Sequence, residues 1–295
     1  MTPRIIESLT EISGTYDAVF CDLWGCLHNG VTAFPEAVAA MEAFRDTGGT
    51  VVLVTNSPRP SPAVVTQLDG LNVPREIYHA VASSGDAAVD ALASGMFGKR
   101  IYHIGPQRDE SFFQAVSTED FYRGTDIERV PLEEAEGIVC TGLFDDETET
   151  PDDYRATILC GVNKGLKMLC ANPDIFVDRG DKRIWCAGGI AQAYEAAGGD
   201  ARSFGKPHAP IYQLARRRME EARGESVADD RILCIGDGIA TDIAGGMGEG
   251  LDTLFITGGL AAEETGTDRQ PDPEKLAAFL NRHDLTPTAS MGFLR

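Results

Sequence analysis

Strand-like and helix-like segments alternate along nearly the whole of this 295-residue chain, and few folds satisfy that pattern. Short apolar runs separated by amphipathic helices predict a parallel sheet covered on both faces by helices. The first strand is expected at Tyr16–Cys21, followed by a helix at Pro35–Asp46. Pro35 suits a first helical turn, Val38, Met41 and Phe44 share one face, and Gly48 ends the helix. The Val-rich run Thr50–Thr55 reads as a strand buried on both sides. Helices follow near Pro62–Gly70 and Gly85–Ala93.

The middle of the chain repeats the alternation in a different style. Lys99–Ile104, Gly137–Thr141 and Lys167–Ala171 read as strands, with a helix from Pro151–Asp153 to about Asn163. Acidic, loop-like stretches surround them at Asp145–Asp153 and Asp178–Lys182. The last third returns to the first style. It has a helix at His208–Ala222, strands at Arg231–Ile235 and Thr253–Thr257, and a helix beginning at Thr241–Gly245. The tail from Pro271 reads as one short helix and then Pro- and Ser-bearing coil. The expected division is a core at 1–83, an inserted domain at 84–186 and the rest of the core at 187–295.

Composition narrows the function classes. A chain that is 43% hydrophobic and 24% charged has the profile of a globular protein with a sizeable core. A formal net charge of −20 repels polyanions, which argues against nucleic-acid or anionic-membrane partners. A small phosphorylated substrate remains compatible, because local cations override the global field. The apolar runs are too short to cross a bilayer, and no secretory signal is visible at Met1–Thr10. The seven cysteines are odd in number and lack C-x-x-C spacing. Several sit in strand-like runs as small buried hydrophobes, which predicts neither a disulfide framework nor a structural zinc site. The expected location is the cytoplasm.

Chemistry gathers at strand ends. Asp22 follows one apolar strand, Thr55 ends a second, and Asp237 lies just beyond a third. In open parallel sheets, ligands bind outside the carboxyl ends of the strands, so these distant residues are expected to meet at one edge. Taken singly, each has a plain structural explanation. Thr55 is a β-branched strand residue, Lys206 a loop lysine before Pro207, and Asp237 and Asp242 fit helix capping after a Gly turn.

Four segments, in order, resemble the motifs of the haloacid dehalogenase (HAD) superfamily: FCDLWGCLHNG, VVLVTNS, FGKPHAPIY and CIGDGIATDIAGG. The segment CANPD at Cys170–Asp174 resembles a signature of the subgroup with a large α/β cap, the type IIA sugar- and nitrophenyl-phosphatase-like proteins. The resemblance implies a doubly wound, Rossmann-like core with that cap inserted. It also implies a Mg2+-dependent phosphohydrolase in which Asp22 is the nucleophile. Thr55, the Asn56 backbone and Lys206 would hold phosphate. Asp22, Asp237 and the backbone carbonyl of Trp24 would hold the cation, with Asp242 close by. Asn172 and Asp174 are candidate cap contacts to substrate, or simply an Asn-Pro-Asp turn. Caps of this subgroup often make dimer contacts, so a homodimer is one expected assembly.

One position departs from the pattern. The family's first motif has a second aspartate two residues after the nucleophile, which protonates the leaving oxygen. Here that residue is Trp24, whose indole only donates a hydrogen bond. Three explanations stand open. His28, in the following loop, substitutes as acid and base; the substrate has a good leaving group; or the protein is a phosphate- and metal-binding sensor with little turnover.

Overall fold

The computed structural model describes residues 4–118, 126–180 and 182–295. Three parallel strands open the chain: β1 (Ala18–Cys21), β2 (Thr50–Thr55) and β3 (Ala80–Ser83). A second set follows: β4 (Arg100–Ile104), β5 (Glu128–Arg129), β6 (Gly137–Cys140) and β7 (Lys167–Cys170). Next come a hairpin of β8 (Phe176–Arg179) and β9 (Lys182–Trp185), then β10 (Asp200–Ser203). The chain closes with β11 (Ile232–Gly236), β12 (Asp252–Ile256) and β13 (Ala289–Met291).

These strands form two parallel sheets. The core sheet has the order β13-β12-β11-β1-β2-β3, and the inserted sheet β10-β7-β6-β4-β5. The alternation of side chains explains why both need helices on two faces. In the core, Val19, Cys21, Val51, Leu53, Leu233 and Ile235 enter one apolar cluster. Their neighbours Ala18, Phe20, Val52, Val54, Ile232 and Cys234 enter another on the opposite face. Ile138, Cys140, Met168 and Cys170 split from Val139 and Leu169 in the same way in the inserted sheet. Apolar residues at every strand position are what a doubly covered parallel sheet requires.

The helices begin and end as local chemistry dictates. The helix Pro35–Asp46 has proline in its first turn and buries Met41 and Phe44. The helix Ser84–Ala93 is capped by Ser83 and Asp86, each accepting from the other's backbone N–H. The helix Ala209–Arg223 stops at Gly224, which adopts the left-handed conformation. Among the described residues, no helix is long and apolar enough to cross a membrane.

Three regions differ from the expectation. The inserted sheet does not end before residue 186, because β10 pairs in parallel with β7. Its Asp-Ala-Arg-Ser sequence has no apolar run, as befits an edge strand with half its residues exposed. The acidic stretch around Asp178 is a charged antiparallel hairpin, braced by Arg183 on Asp178 at 2.7 Å. The tail contains β13, three buried residues paired with β12.

Candidate active site

The carboxyl ends of β1, β2 and β11 bring the first group of side chains together. Asp22, Thr55, Asn56, Lys206, Asp237 and Asp242 are all buried. Lys206 is the hub. Its Nζ donates to Asp22 Oδ1 at 2.6 Å, to Asp242 Oδ1 at 2.6 Å and to the Val54 carbonyl at 3.2 Å. Its backbone is clamped by Asn56, which accepts from Lys206 N at 2.7 Å and donates to Lys206 O at 3.1 Å. The same Asn56 amide donates to Asp174 Oδ1 at 2.8 Å, joining the core to the Asn-Pro-Asp loop after β7.

The two metal-site candidates of the fourth motif have separate partners. Asp237 lies close to Asp22, with carboxylate oxygens and the Cys26 Sγ all within 4.8 Å of one another. Asp242 instead holds Lys206, and its Oδ2 accepts from the Gly238 N–H and the Thr241 hydroxyl, each at 3.2 Å. A widened turn, with Ile243 N donating to Gly238 O at 3.1 Å, carries Asp242. Such bulges recur at functional sites.

Burial sets the protonation chemistry. It pushes the Asp22 carboxyl well above the usual range, with Lys206 pulling it down and Asp242 and Asp237 pushing it up. Burial together with the charge of Asp242 raises Asp237 to about 7. Burial opposes the charge on Lys206, yet Asp22, Asp242 and Asp174 outweigh it and hold the ammonium well above its ordinary value. Four carboxylates (Asp22, Asp174, Asp237 and Asp242) against one ammonium leave a deficit of positive charge in a dry site, which a divalent cation would fill. The oxygen donors of Asp22 and Asp237 suit a hard cation. Gly25 and Gly259 leave room beside Asp237, since a Cβ on either would collide with that carboxylate.

Two adjoining cavities, of about 100 and 200 Å³, share Asp22, Trp24, Asp174 and Val177 in their walls. The larger reaches Lys206, Asp237 and Asp242; the smaller reaches Thr55, Asn172 and the loops after β4 and β6.

The comparisons with known proteins agree with this geometry. The family model for haloacid dehalogenase-like hydrolases matches residues 19–119, and a second HAD hydrolase-like model matches 203–282. A solved haloacid dehalogenase-like hydrolase from Brucella suis is 44% identical, with a TM-score of 0.85, covering 99% of this chain and 100% of that one. This chain belongs to the haloacid dehalogenase-like hydrolase family. Among curated relatives of this HAD chain, the 5'-nucleotidase YutF of Bacillus subtilis is 26% identical over 261 residues, 88% of this chain and 94% of that protein. The fold also matches a glycerol phosphate phosphatase from Mycobacterium tuberculosis, solved in complex with magnesium. That match has 24% identity and a TM-score of 0.62, covering 88% of this chain and 71% of that one.

The HAD motif residues thus converge, while His28, the candidate substitute for the missing acid, stands apart. His28 does not line either cavity. It is fully buried, its Nδ1 accepts from Gly30 N at 3.0 Å, and its Nε2 has no partner among the described residues. Burial lowers its pKa to about 4, so it is neutral near pH 7. The ring meets Trp24 edge-on at 5.3 Å. Trp24 itself lines both cavities, and Gly30, at φ 80°, gives its ring the space that a Cβ would fill. Asn172 makes the turn, its Oδ1 accepting from Asp174 N at 3.1 Å, while also lining the smaller cavity. Cys26 beside the carboxylates carries no signal in the sequence beyond its place in the cysteine count, since it lacks C-x-x-C spacing.

Proposed function

We propose that this HAD hydrolase is a magnesium-dependent phosphatase that passes the phosphoryl group through Asp22. The observation that carries the reading is the convergence of Asp22, Asp237 and Lys206 in one buried cluster. Mg2+ would be held by Asp22, Asp237 and the Trp24 backbone carbonyl. When bound, it offsets the repulsion between an anionic nucleophile and an anionic ester.

The chain's own residues do the rest. Asp22 attacks phosphorus with a carboxylate oxygen. A P–O bond to Asp22 forms as the P–O bond to the leaving group breaks. Thr55, the Asn56 backbone and Lys206 hold the phosphoryl oxygens as their charge redistributes. Asp242 is a positioning residue that keeps Lys206 aimed. Water then attacks phosphorus, gives up a proton to solvent, and frees phosphate and the Asp22 carboxylate. The leaving oxygen takes its proton from water, because Trp24 stands where an acid would and His28 lines neither cavity. Losing such an acid lowers turnover by roughly 100- to 10,000-fold for poor leaving groups. Aryl and acyl phosphates are therefore the favoured substrates.

The segment that begins after β3 at residue 84 is proposed as the cap, extended from residue 186 to 203 to include β10, with the core at 1–83 and after 203. The free thiols of all seven cysteines support a reducing, cytoplasmic setting. Trp24 also motivates a second reading, a binding protein with little turnover. A Mg2+-supplemented phosphoester panel, with Asp22→Asn as the blank, separates the two. The phosphatase reading expects phosphate release from p-nitrophenyl or acetyl phosphate that the blank lacks. Metal-dependent ligand binding with no release favours the sensor.

A further inference from the structure

The far wall of the smaller cavity is built differently from the rest of this acidic chain. Three arginines line it: Arg59 from the loop after β2, Arg108 after β4 and Arg179 at the end of β8. Their carboxylate partners Asp109 and Asp146 line the same cavity but are far more buried. The side chains of Asp109 and Asp146 are 4% and 7% exposed, whereas those of Arg59, Arg108 and Arg179 are 28%, 44% and 34% exposed. Asp146 is shared, with Arg179 at 3.0 Å and Arg108 in contact on the same oxygen. Arg59 reaches Asp109 at only 3.5 Å and Gln67 at 3.2 Å. Arg179 also meets Glu147 at 3.2 Å, on the exposed rim. Two buried carboxylates thus orient three guanidiniums without satisfying them. A guanidinium carries five N–H donors, and these partners occupy a minority on each.

We infer that this wall recognises a second anionic group on the leaving-group side of the substrate. This rests on the phosphatase reading, since Asp22 and Thr55 line the same cavity opposite the arginines. In a chain with 46 acidic and 26 basic residues, three arginines lining one cavity go against the general trend, and each keeps donors beyond those its carboxylate partner uses. Guanidinium forks match carboxylate and phosphate oxygens in pairs, and hydrogen bonds to charged groups in a half-dry cleft are strong. The substrate class is therefore a small phosphomonoester that also carries a carboxylate or a second phosphate. The wall draws residues from both the core and the inserted domain, so such a substrate would also bind the two together.

The test compares kcat/KM within matched pairs, with Mg2+ present. 4-(Carboxymethyl)phenyl phosphate is set against 4-methylphenyl phosphate for the carboxylate, and hydroquinone bisphosphate against hydroquinone monophosphate for the second phosphate, so that the leaving group stays aryl, with p-nitrophenyl phosphate as reference. The doubly anionic member of at least one pair is expected to win by about 10- to 100-fold, and the pair that responds identifies the anion. Arg108→Gln and, separately, Arg179→Gln should collapse that ratio, while Arg108→Lys should restore part of it. The ratio is internal to each variant, so partial unfolding does not imitate the result. Hydrolysis of p-nitrophenyl phosphate with no anion preference in either pair overturns this inference and leaves the phosphatase reading standing. A preference that survives both Gln variants also overturns it. No hydrolysis of any ester overturns both.

Discussion

The two parallel sheets are built by one rule and end in different chemistry. Each buries alternate residues on both faces, and each presents its carboxyl ends to the same pair of cavities. The core strands end in carboxylates gathered round a buried lysine. The inserted strands lead into loops bearing arginine, hydroxyl and amide groups, with Arg108, Thr141 and Asn172 at the cavity. On the proposed function, the core side activates a phosphoryl group and the other side reads what is attached to it. A parallel sheet thus provides a shared edge, and the residues just past the strand ends decide its use.

The largest way to break the core half is Lys206→Met. It removes the only ammonium between Asp22 and Asp242 and leaves two buried carboxylates facing each other. Stability should fall by about 3–5 kcal/mol in chemical denaturation. The kcat of the folded fraction should fall roughly 100- to 1,000-fold. A variant as stable and active as the parent would show that the ion pairs are ornamental.

Trp24→Asp probes the boundary between the halves, since Trp24 lines both cavities. It should raise kcat/KM for alkyl phosphates, relative to p-nitrophenyl phosphate, by about 10- to 100-fold. It should also lower stability, because the ring packs on the core cluster. An unchanged ratio would mean that leaving-group protonation does not limit turnover.

The smallest effect sharpens the likeness of the halves. Burial holds His28 in the core and His103 beside β6 at about 4, both below the ordinary 6.5. The native state therefore binds fewer protons than the unfolded chain between pH 6.5 and 4. The stability that both groups contribute above pH 6.5 is lost as pH falls toward 4, by up to about 3 kcal/mol each. His103→Gln and His28→Gln should each flatten that acid limb in pH-dependent unfolding. His28→Gln should also keep kcat within about twofold in its folded fraction, because the ring is not at the cavity.

Much of this was legible in the sequence, for physical reasons. Buried parallel strands such as Thr50–Thr55 are continuous apolar runs, and Pro35 and Gly48 mark the two ends of one helix. Asp22, Thr55 and Asp237 could be placed together because strand ends share an edge. Edge elements were harder to read. β10 and β13 are short and lack an apolar run, and the β8–β9 hairpin carries charge on its outer face. His28 looked available from its loop position, but the turn back through Gly30 buries it completely. The arginine wall comes from three distant segments, so only the packing of the inserted domain on the core reveals it.

The most direct test of the account is to trap the phosphorylated protein. Rapid acid quench of the Mg2+-loaded protein mixed with acetyl phosphate, followed by peptide mass spectrometry, should find a phosphoryl group on the peptide containing Asp22. It should be absent when Mg2+ is chelated and in Asp22→Asn. Phosphate release with no adduct at Asp22, or an adduct that persists in Asp22→Asn, would contradict it.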